Sequence, residues 1–133
     1  MTDPEQVVEA NLKFYFALES LEVDLMDEVW ATDASAICIR PGKDRLAGWQ
    51  NIRASWEEIF TQTSFLRIDV TEVSVEVQGN VAWVTCLEQI HTEAGDQMQR
   101  ARAYATNIFV FEDDRWLLVL HHASLLGKSE TGG

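Results

Sequence analysis

The period of the hydrophobic positions changes near residue 63, and this change divides the chain into a helical part and a stranded part. Before the change, apolar residues recur every three or four positions, which is the spacing of one helix face. Three helices are predicted there. The first begins after the Asp3 cap with Pro4 at its first position, the second is a short helix around residues 25–30, and Gly48 opens the third.

Beyond Thr63 apolar and polar residues alternate, which is typical of β-strands. A short apolar strand at 35–39 precedes the turn Pro41-Gly42. Four long strands are predicted at 65–77, 81–93, 97–111 and 116–124. Short hairpin connections join them, so they should form an antiparallel meander. The pattern therefore predicts an α+β layer architecture, with one domain over residues 1–128 and a flexible C-terminal tail at 129–133.

The charge balance limits the possible partners. The 133 residues carry a formal net charge of -12, so neither nucleic acid nor an anionic membrane surface is an expected partner. The first ten residues lack the basic start and apolar stretch of a signal peptide, and a cytoplasmic location is expected. Cys38 and Cys86 lie far apart in the sequence and are expected to be free core thiols.

Six segments together carry a resemblance to a known family. They are Phe14-Tyr15 with Leu18-Glu19, residues 29–34, Gly48 with residues 52–56, residues 79–85, residues 105–109, and residues 116–124. In this order and spacing they resemble the SnoaL-like domains of the nuclear transport factor 2-like superfamily, which includes ketosteroid isomerase. The resemblance covers roughly residues 5–125. It implies a cone-shaped fold, in which three N-terminal helices pack in a strongly curved, mostly antiparallel sheet. It also implies a pocket between helices and sheet, and a homodimer formed through the outer sheet face.

Comparison with ketosteroid isomerases leaves catalysis open. Such enzymes need a carboxylate base at the end of the first strand, and Cys38 or Ile39 occupies that place here. Their donor tyrosine aligns with Phe14, or with Tyr15 after a shift of one residue. Their donor aspartic acid aligns with Asn107. The general base appropriate to that isomerase is thus absent, and its activity is not expected.

Strand alternation selects the residues that would face a pocket. If Asn107 faces inward, Ala103 and Ala105 share its face. The family comparison places Leu118, Leu120, His122 and Ser124 of the last strand inside, and Trp83, Thr85, Leu87, Gln89 and His91 form the matching set. The predicted pocket is lined by Phe14, Tyr15, Trp30, Cys38, Trp56, Phe60, Trp83, Leu87, His91, Ala105, Asn107, Leu120 and His122.

Asn107 and His122 are the catalytic candidates in this set, His122 because histidine titrates near neutral pH. Each has a structural alternative, since Asn107 could satisfy backbone groups and His122 could be a hydrogen-bonded core residue. The aromatic residues could be plain core.

His121 and His122 point to opposite faces and cannot easily share an ion, so no metal is expected. No cofactor is expected either. Arg40, near the expected pocket mouth, could bind a ligand carboxylate or pair with a surface acid.

Two functional hypotheses follow. The chain is a pocket protein that binds a small, largely apolar ligand, as an isomerase, cyclase or hydratase of unassigned substrate. Alternatively it is a non-catalytic dimerisation or protein-interaction domain, with Val84, Cys86, Ile90 and Phe109 on the interface. A cavity that carries polar groups favours the first, and a cavity filled by Trp30, Trp56 and Trp83 favours the second.

Overall fold

Helices dominate the first half of the chain and strands the second, as the change of period predicts. The structure is a computed structural model that describes residues 3–127, and the predicted tail at 129–133 lies outside the described residues. The helices of this part are α1 (Pro4–Ser20), α2 (Val23–Met26) and α3 (Trp49–Thr61). Its strands are β1 (Ile37–Ile39), β2 (Leu46–Ala47), β3 (Phe65–Gln78), β4 (Val81–Ala94), β5 (Gln97–Glu112) and β6 (Arg115–Leu125). Among residues 3–127 no helix is long and apolar enough to cross a membrane.

The six strands form one mixed sheet in the order β2-β1-β6-β5-β4-β3. The long strands β3 to β6 form the predicted antiparallel meander, and only β1 pairs with its neighbour β6 in parallel. With the helices packed against one face of this curved sheet, the architecture is the predicted α+β cone. The two-residue strand β2 is not predicted, because two residues are too short to show a period.

Local signals fix where the helices begin. The Asp3 side chain accepts a hydrogen bond from the Glu5 N–H at 2.9 Å, which confirms the predicted cap of α1. At Gly48 the backbone has a φ of 88°, a value that glycine adopts without strain. The Gly48 N–H donates to the Ala36 carbonyl at 2.8 Å, so the start of α3 is attached to the segment that leads into β1.

Two irregularities interrupt the long strands. The pairing of β3 with β4 shifts between Thr71 and Ser74. The pairing of β5 with β6 shifts where Phe109 pairs with Leu118 but Ile108 pairs with Leu120, which leaves Val119 as an extra residue. Bulges of this kind bend and twist a strand, and they also reverse which residues face the core.

The bulge at Val119 makes the predicted orientation of the last strand wrong from that point onward. Leu118 is fully buried on the inner face, as predicted. Beyond the bulge, His121 pairs with the inward-facing Asn107 and is buried, whereas His122 is exposed on the outer face. Leu120 and Ser124 share the outer face with His122 because they have the same alternation.

The predicted orientation of β4 is also wrong. Val84 pairs with Asn107, and paired residues share a face, so Val84, Cys86 and Glu88 point inward. The outer face of β4 therefore carries the set that was expected inside: Trp83, Thr85, Leu87, Gln89 and His91. Conversely, the residues expected on an outer interface lie on the inner face: Val84, Cys86, Ile90 and Phe109. Apolar residues occupy both alternating sets of β4, so only its pairing with β5 distinguishes the two faces.

Candidate functional site

A connected group of polar side chains lies buried between α1 and the inner sheet face. None of its members is more than 3% exposed, in surroundings that are otherwise apolar. Its residues are Asn11, Tyr15, Cys86, Glu88, Asn107 and His121. Buried polar groups are stable only when they are paired, so the pattern of hydrogen bonds defines the properties of this network.

The hydrogen bonds run in one direction from Asn107 to Glu88. The Asn107 Nδ2 donates to Asn11 Oδ1 at 2.8 Å and to Tyr15 Oη at 3.1 Å. The Tyr15 hydroxyl in turn donates to Glu88 Oε2 at 2.6 Å. It also lies 3.4 Å from Cys86 Sγ. Because both amide hydrogens of Asn107 are used in this way, its Oδ1 remains as an acceptor.

That acceptor determines the tautomer of His121. The His121 Nδ1 lies 2.6 Å from Asn107 Oδ1, and an amide oxygen only accepts, so Nδ1 carries the hydrogen. The lone pair of the neutral ring is therefore on Nε2, which lies 4.0 Å from Glu88 Oε2. Phe14 packs against the same ring with the centroids 4.9 Å apart.

Burial makes Glu88 and His121 a neutral acid and a neutral base rather than an ion pair. Burial raises the pKa of Glu88 to about 7, although the hydrogen bond from Tyr15 acts in the opposite direction. Burial lowers the pKa of His121 to about 3, and electrostatic interaction with His122 and Arg40 lowers it further. Between these pH values Glu88 keeps its proton while His121 has none. The 4.0 Å separation alone would suggest a salt bridge, but both pKa shifts oppose it.

Glu88 and His121 reach the surface of a cleft of about 220 Å³ between α3, the start of β3 and the sheet. Its walls are mostly apolar, and Arg40 lies at it as well. The other lining residues are Leu18, Pro41, Trp56, Ile59, Thr63, Leu66, Ile68, Ile90, Thr92 and Ala123. An apolar cleft with a few converging polar groups is the usual form of a small-molecule site.

The structure separates the predicted pocket residues into three groups. Trp56 lines the cleft. Several others are buried in the core without lining it: Phe14, Tyr15, Trp30, Cys38, Phe60, Ala105 and Asn107. The rest lie on the outer face of the sheet, where the predicted orientation was wrong: Trp83, Leu87, His91, Leu120 and His122.

The choice between Phe14 and Tyr15 has a clear answer in the core. Both are buried, but Tyr15 supplies the network hydroxyl, while Phe14 packs edge-on against Trp30 at 5.9 Å between ring centroids. Of the two catalytic candidates, Asn107 belongs to the network and His122 does not, because the bulge brings His121 to the inner face instead.

Sequence reasoning missed Asn11, Glu88 and His121. Asn11 lies on the buried stripe of α1 with Val7 and Leu18, so a polar residue at that helical spacing was a usable signal. Glu88 is the charged member of the alternating set that contains Cys86, which was also a usable signal. No pattern in the sequence marks the bulge that directs His121 inward.

Neither cysteine is a candidate nucleophile. Both are free and buried, and burial raises the pKa of the Cys38 thiol to about 11. Such a thiol stays protonated and unreactive at neutral pH. Within residues 3–127, no three His, Cys, Asp or Glu side chains converge in a way that could hold a metal ion.

Comparisons with known proteins agree with this fold. The sequence profile of the SnoaL-like domain matches residues 7–127. A Streptomyces avermitilis structure of the NTF2-like family, proposed to be a dehydratase, is 33% identical, with a TM-score of 0.88 over 95% of this chain and 97% of that one. A Thiobacillus denitrificans structure, proposed to be a calcium/calmodulin-dependent protein kinase type II association domain, is 32% identical, with a TM-score of 0.75 over 89% and 93% of the two chains.

A plant protein is similar at lower identity. The F-box protein SKIP8 of Arabidopsis thaliana is 22% identical over 120 residues, which are 90% of this chain and 49% of that protein. The chain thus spans about half the length of this curated relative.

Proposed function

The chain belongs to the SnoaL-like domain family, and we propose that it is an enzyme that adds or removes water on a small, largely apolar substrate in the Glu88–His121 cleft. The observation that supports this proposal is that the Glu88 carboxyl and His121 Nε2 lie 4.0 Å apart at the wall of an apolar cleft. Burial raises the pKa of Glu88 and lowers that of His121, which favours the neutral acid and the neutral base. General acid–base catalysis needs both partners at once in these protonation states. The similarity to a structure proposed to be a dehydratase gives further support.

In the elimination direction, His121 Nε2 removes a proton from the carbon next to a carbonyl group of the substrate. The Glu88 carboxyl gives its proton to the departing hydroxyl, so that water and a conjugated alkene are formed. The enzyme is left with a protonated His121 and an ionised Glu88. One proton transfer between them, through the released water, restores the starting state. Because both groups lie on one side of the cleft, the proton and the hydroxyl leave from the same face of the substrate.

Two β-hydroxy compounds that carry a phenyl ring test this proposal, 4-hydroxy-4-phenylbutan-2-one and methyl 3-hydroxy-3-phenylpropanoate. Formation of the conjugated alkene is followed by ultraviolet absorbance. We expect Glu88→Gln and His121→Gln each to lower the rate about 100-fold or more, the usual contribution of an acid or base. His122→Gln is the matched control, because this adjacent histidine lies on the outer face. A full rate in His121→Gln, or a rate lost in His122→Gln with no change in oligomeric state, would rule out the assigned roles.

We also propose that two copies of the chain associate through the outer sheet face. The observation in favour is the 32% identity to a protein proposed to be an association domain. This face carries Tyr104, which is 48% exposed, and the half-buried Trp83, Ile108 and Leu120. Native mass spectrometry should show a dimer that His122→Glu converts to a monomer. Phe16→Glu is the control, since Phe16 is 66% exposed on α1 and away from this face. A monomeric unaltered protein contradicts this proposal and leaves the catalytic one intact.

A further inference from the structure

Arg40 is a cation at the cleft without a carboxylate partner in the part of the chain that the structure describes. No Asp or Glu oxygen of residues 3–127 lies within 4.0 Å of its guanidinium, whereas Arg53 and Arg67 pair with acids. Four exposed arginines among the described residues also lack a carboxylate partner: Arg45, Arg100, Arg102 and Arg115. Arg40 differs from them because it is half-buried and lies at an apolar cleft. The prediction that Arg40 lies near a pocket mouth agrees with its place among the cleft residues.

Neighbouring side chains hold Arg40 in position. Its Nη2 donates to Ser55 Oγ at 2.6 Å, and its guanidinium carbon lies 5.4 Å from the centroid of the Trp56 ring. A guanidinium has five N–H donors in a rigid plane, and Ser55 uses one of them. A cation placed over an aromatic face and fixed by one hydrogen bond loses little further freedom when it binds a ligand.

The position of Arg40 links it to the proposed acid–base pair. It directly follows β1, whose last residue, Ile39, pairs with His122 next to His121. Its charge is one of the causes that lower the pKa of His121. A group bound at Arg40 would therefore lie in the same cleft as the catalytic atoms.

We infer that the natural ligand is a small monocarboxylic acid whose carboxylate binds Arg40 while its apolar body fills the cleft toward Glu88 and His121. This inference rests on the proposed function, since it concerns the same site. Planar, bidentate pairing with a carboxylate is the recognition mode that suits a single fixed guanidinium. The cleft of about 220 Å³ is smaller than the roughly 300–1,000 Å³ of drug-sized sites, so a single ring with a short chain is the expected size.

The charge state of the cleft is compatible with an anion. Glu88, the only carboxyl among its lining residues, keeps its proton up to about pH 7 and does not repel a carboxylate below that pH. One arginine with no second cation among the cleft residues matches one negative charge, whereas a phosphate usually takes several donors.

The test compares two probes of the same size and shape, trans-cinnamate and trans-cinnamamide, of which only the first carries a charge. Each is titrated at pH 6 into the full chain labelled with ¹⁵N, and binding is followed by the indole N–H signal of Trp56. We expect the carboxylate to bind about 10- to 100-fold more tightly than the amide, the range for a hydrogen-bonded charge. Arg40→Gln should abolish this difference and leave the affinity for the amide within about twofold. Arg40→Lys should keep part of the difference, because it retains the charge without the planar fork.

Arg45→Gln is the matched control, an exposed arginine in the same connection between β1 and β2. It should leave both affinities unchanged. Equal binding of the two probes to the unaltered protein overturns the carboxylate inference and leaves the proposed function standing. Tighter binding of phenyl phosphate than of cinnamate overturns it as well. If no probe binds and the two β-hydroxy compounds are not converted, both the inference and the proposed function fail.

Discussion

Glu88 of β4 and His121 of β6 approach each other across the strand that separates them, with Oε2 and Nε2 4.0 Å apart. The inner face of that strand, β5, carries Ala103 and Ala105 near these two side chains. Ala103 pairs with Glu88 of β4, and Ala105 pairs with Ala123 of β6, two residues after His121. Two methyl groups leave space above the strand in which the longer side chains meet. The small residues of β5 thus make room for contact within the protein as well as for a ligand.

The proton on Glu88 should make the stability of the fold depend on pH. The pKa of Glu88 is raised by burial from 4.5 to about 7, so the folded state holds a proton that the unfolded chain has already lost. This contribution is fully present below pH 4.5 and is lost as the pH rises through 7. One pKa unit corresponds to about 1.4 kcal/mol. As the pH rises from 4.5 to 8, the free energy of unfolding of the unaltered protein should therefore fall by about 3 kcal/mol relative to that of Glu88→Gln.

Urea unfolding of the two proteins between pH 4.5 and 8 measures this difference. The groups around Glu88 do not change charge between pH 5 and 8. The pKa of His121 is lowered to about 3, that of Cys38 is raised to about 11, and burial raises the pKa values of Tyr15 and Cys86 as well. His121 of the unfolded chain takes up a proton below about pH 6.5. This uptake is the same in both proteins, so it cancels when their free energies of unfolding are compared. A difference that stays constant with pH would show that Glu88 is ionised in the folded state.

The two tyrosines of the chain offer a matched comparison for the network. Tyr15→Phe removes a hydroxyl that both accepts from Asn107 and donates to Glu88 in the core. Each partner is then left unsatisfied, and we expect a loss of about 1–3 kcal/mol in the free energy of unfolding. Tyr104→Phe removes an exposed hydroxyl that lies 3.3 Å from Glu72 and should change stability by less than about 0.5 kcal/mol. Chemical denaturation measures both, and equal losses would mean that the buried network does not stabilise the fold.

Much of the architecture could be predicted because long periodic segments and turn residues specify it locally. The cap at Asp3, the helix that Gly48 opens and the antiparallel meander are all confirmed. Each depends on interactions within one element or between neighbouring elements, and these interactions leave a readable period in the sequence.

The orientation of the inner residues could not be predicted in the same way. One extra residue, Val119, reverses the alternation of β6 and exchanges the places of His121 and His122. A bulge arises from the pairing of two strands distant in sequence, so the alternation of one strand alone does not reveal it. The candidate site was therefore predicted at Asn107 and Tyr15, which the family resemblance identifies, and missed at His121.

Replacing Asn107 by aspartate tests the assigned tautomer of His121. In the unaltered protein the ¹⁵N signals of His121 should show the hydrogen on Nδ1, since Asn107 Oδ1 lies 2.6 Å away and only accepts. In Asn107→Asp a carboxylate takes that place, and an opposite charge at this distance favours the protonated ring. We expect the pKa of His121, which is about 3, to rise in this variant.

Asn80→Asp, in the exposed turn between β3 and β4, adds the same charge far from His121 and should leave its titration unchanged. An unchanged titration in Asn107→Asp, or the hydrogen on Nε2 in the unaltered protein, would mean that Asn107 does not orient His121 and that the proposed base is wrong.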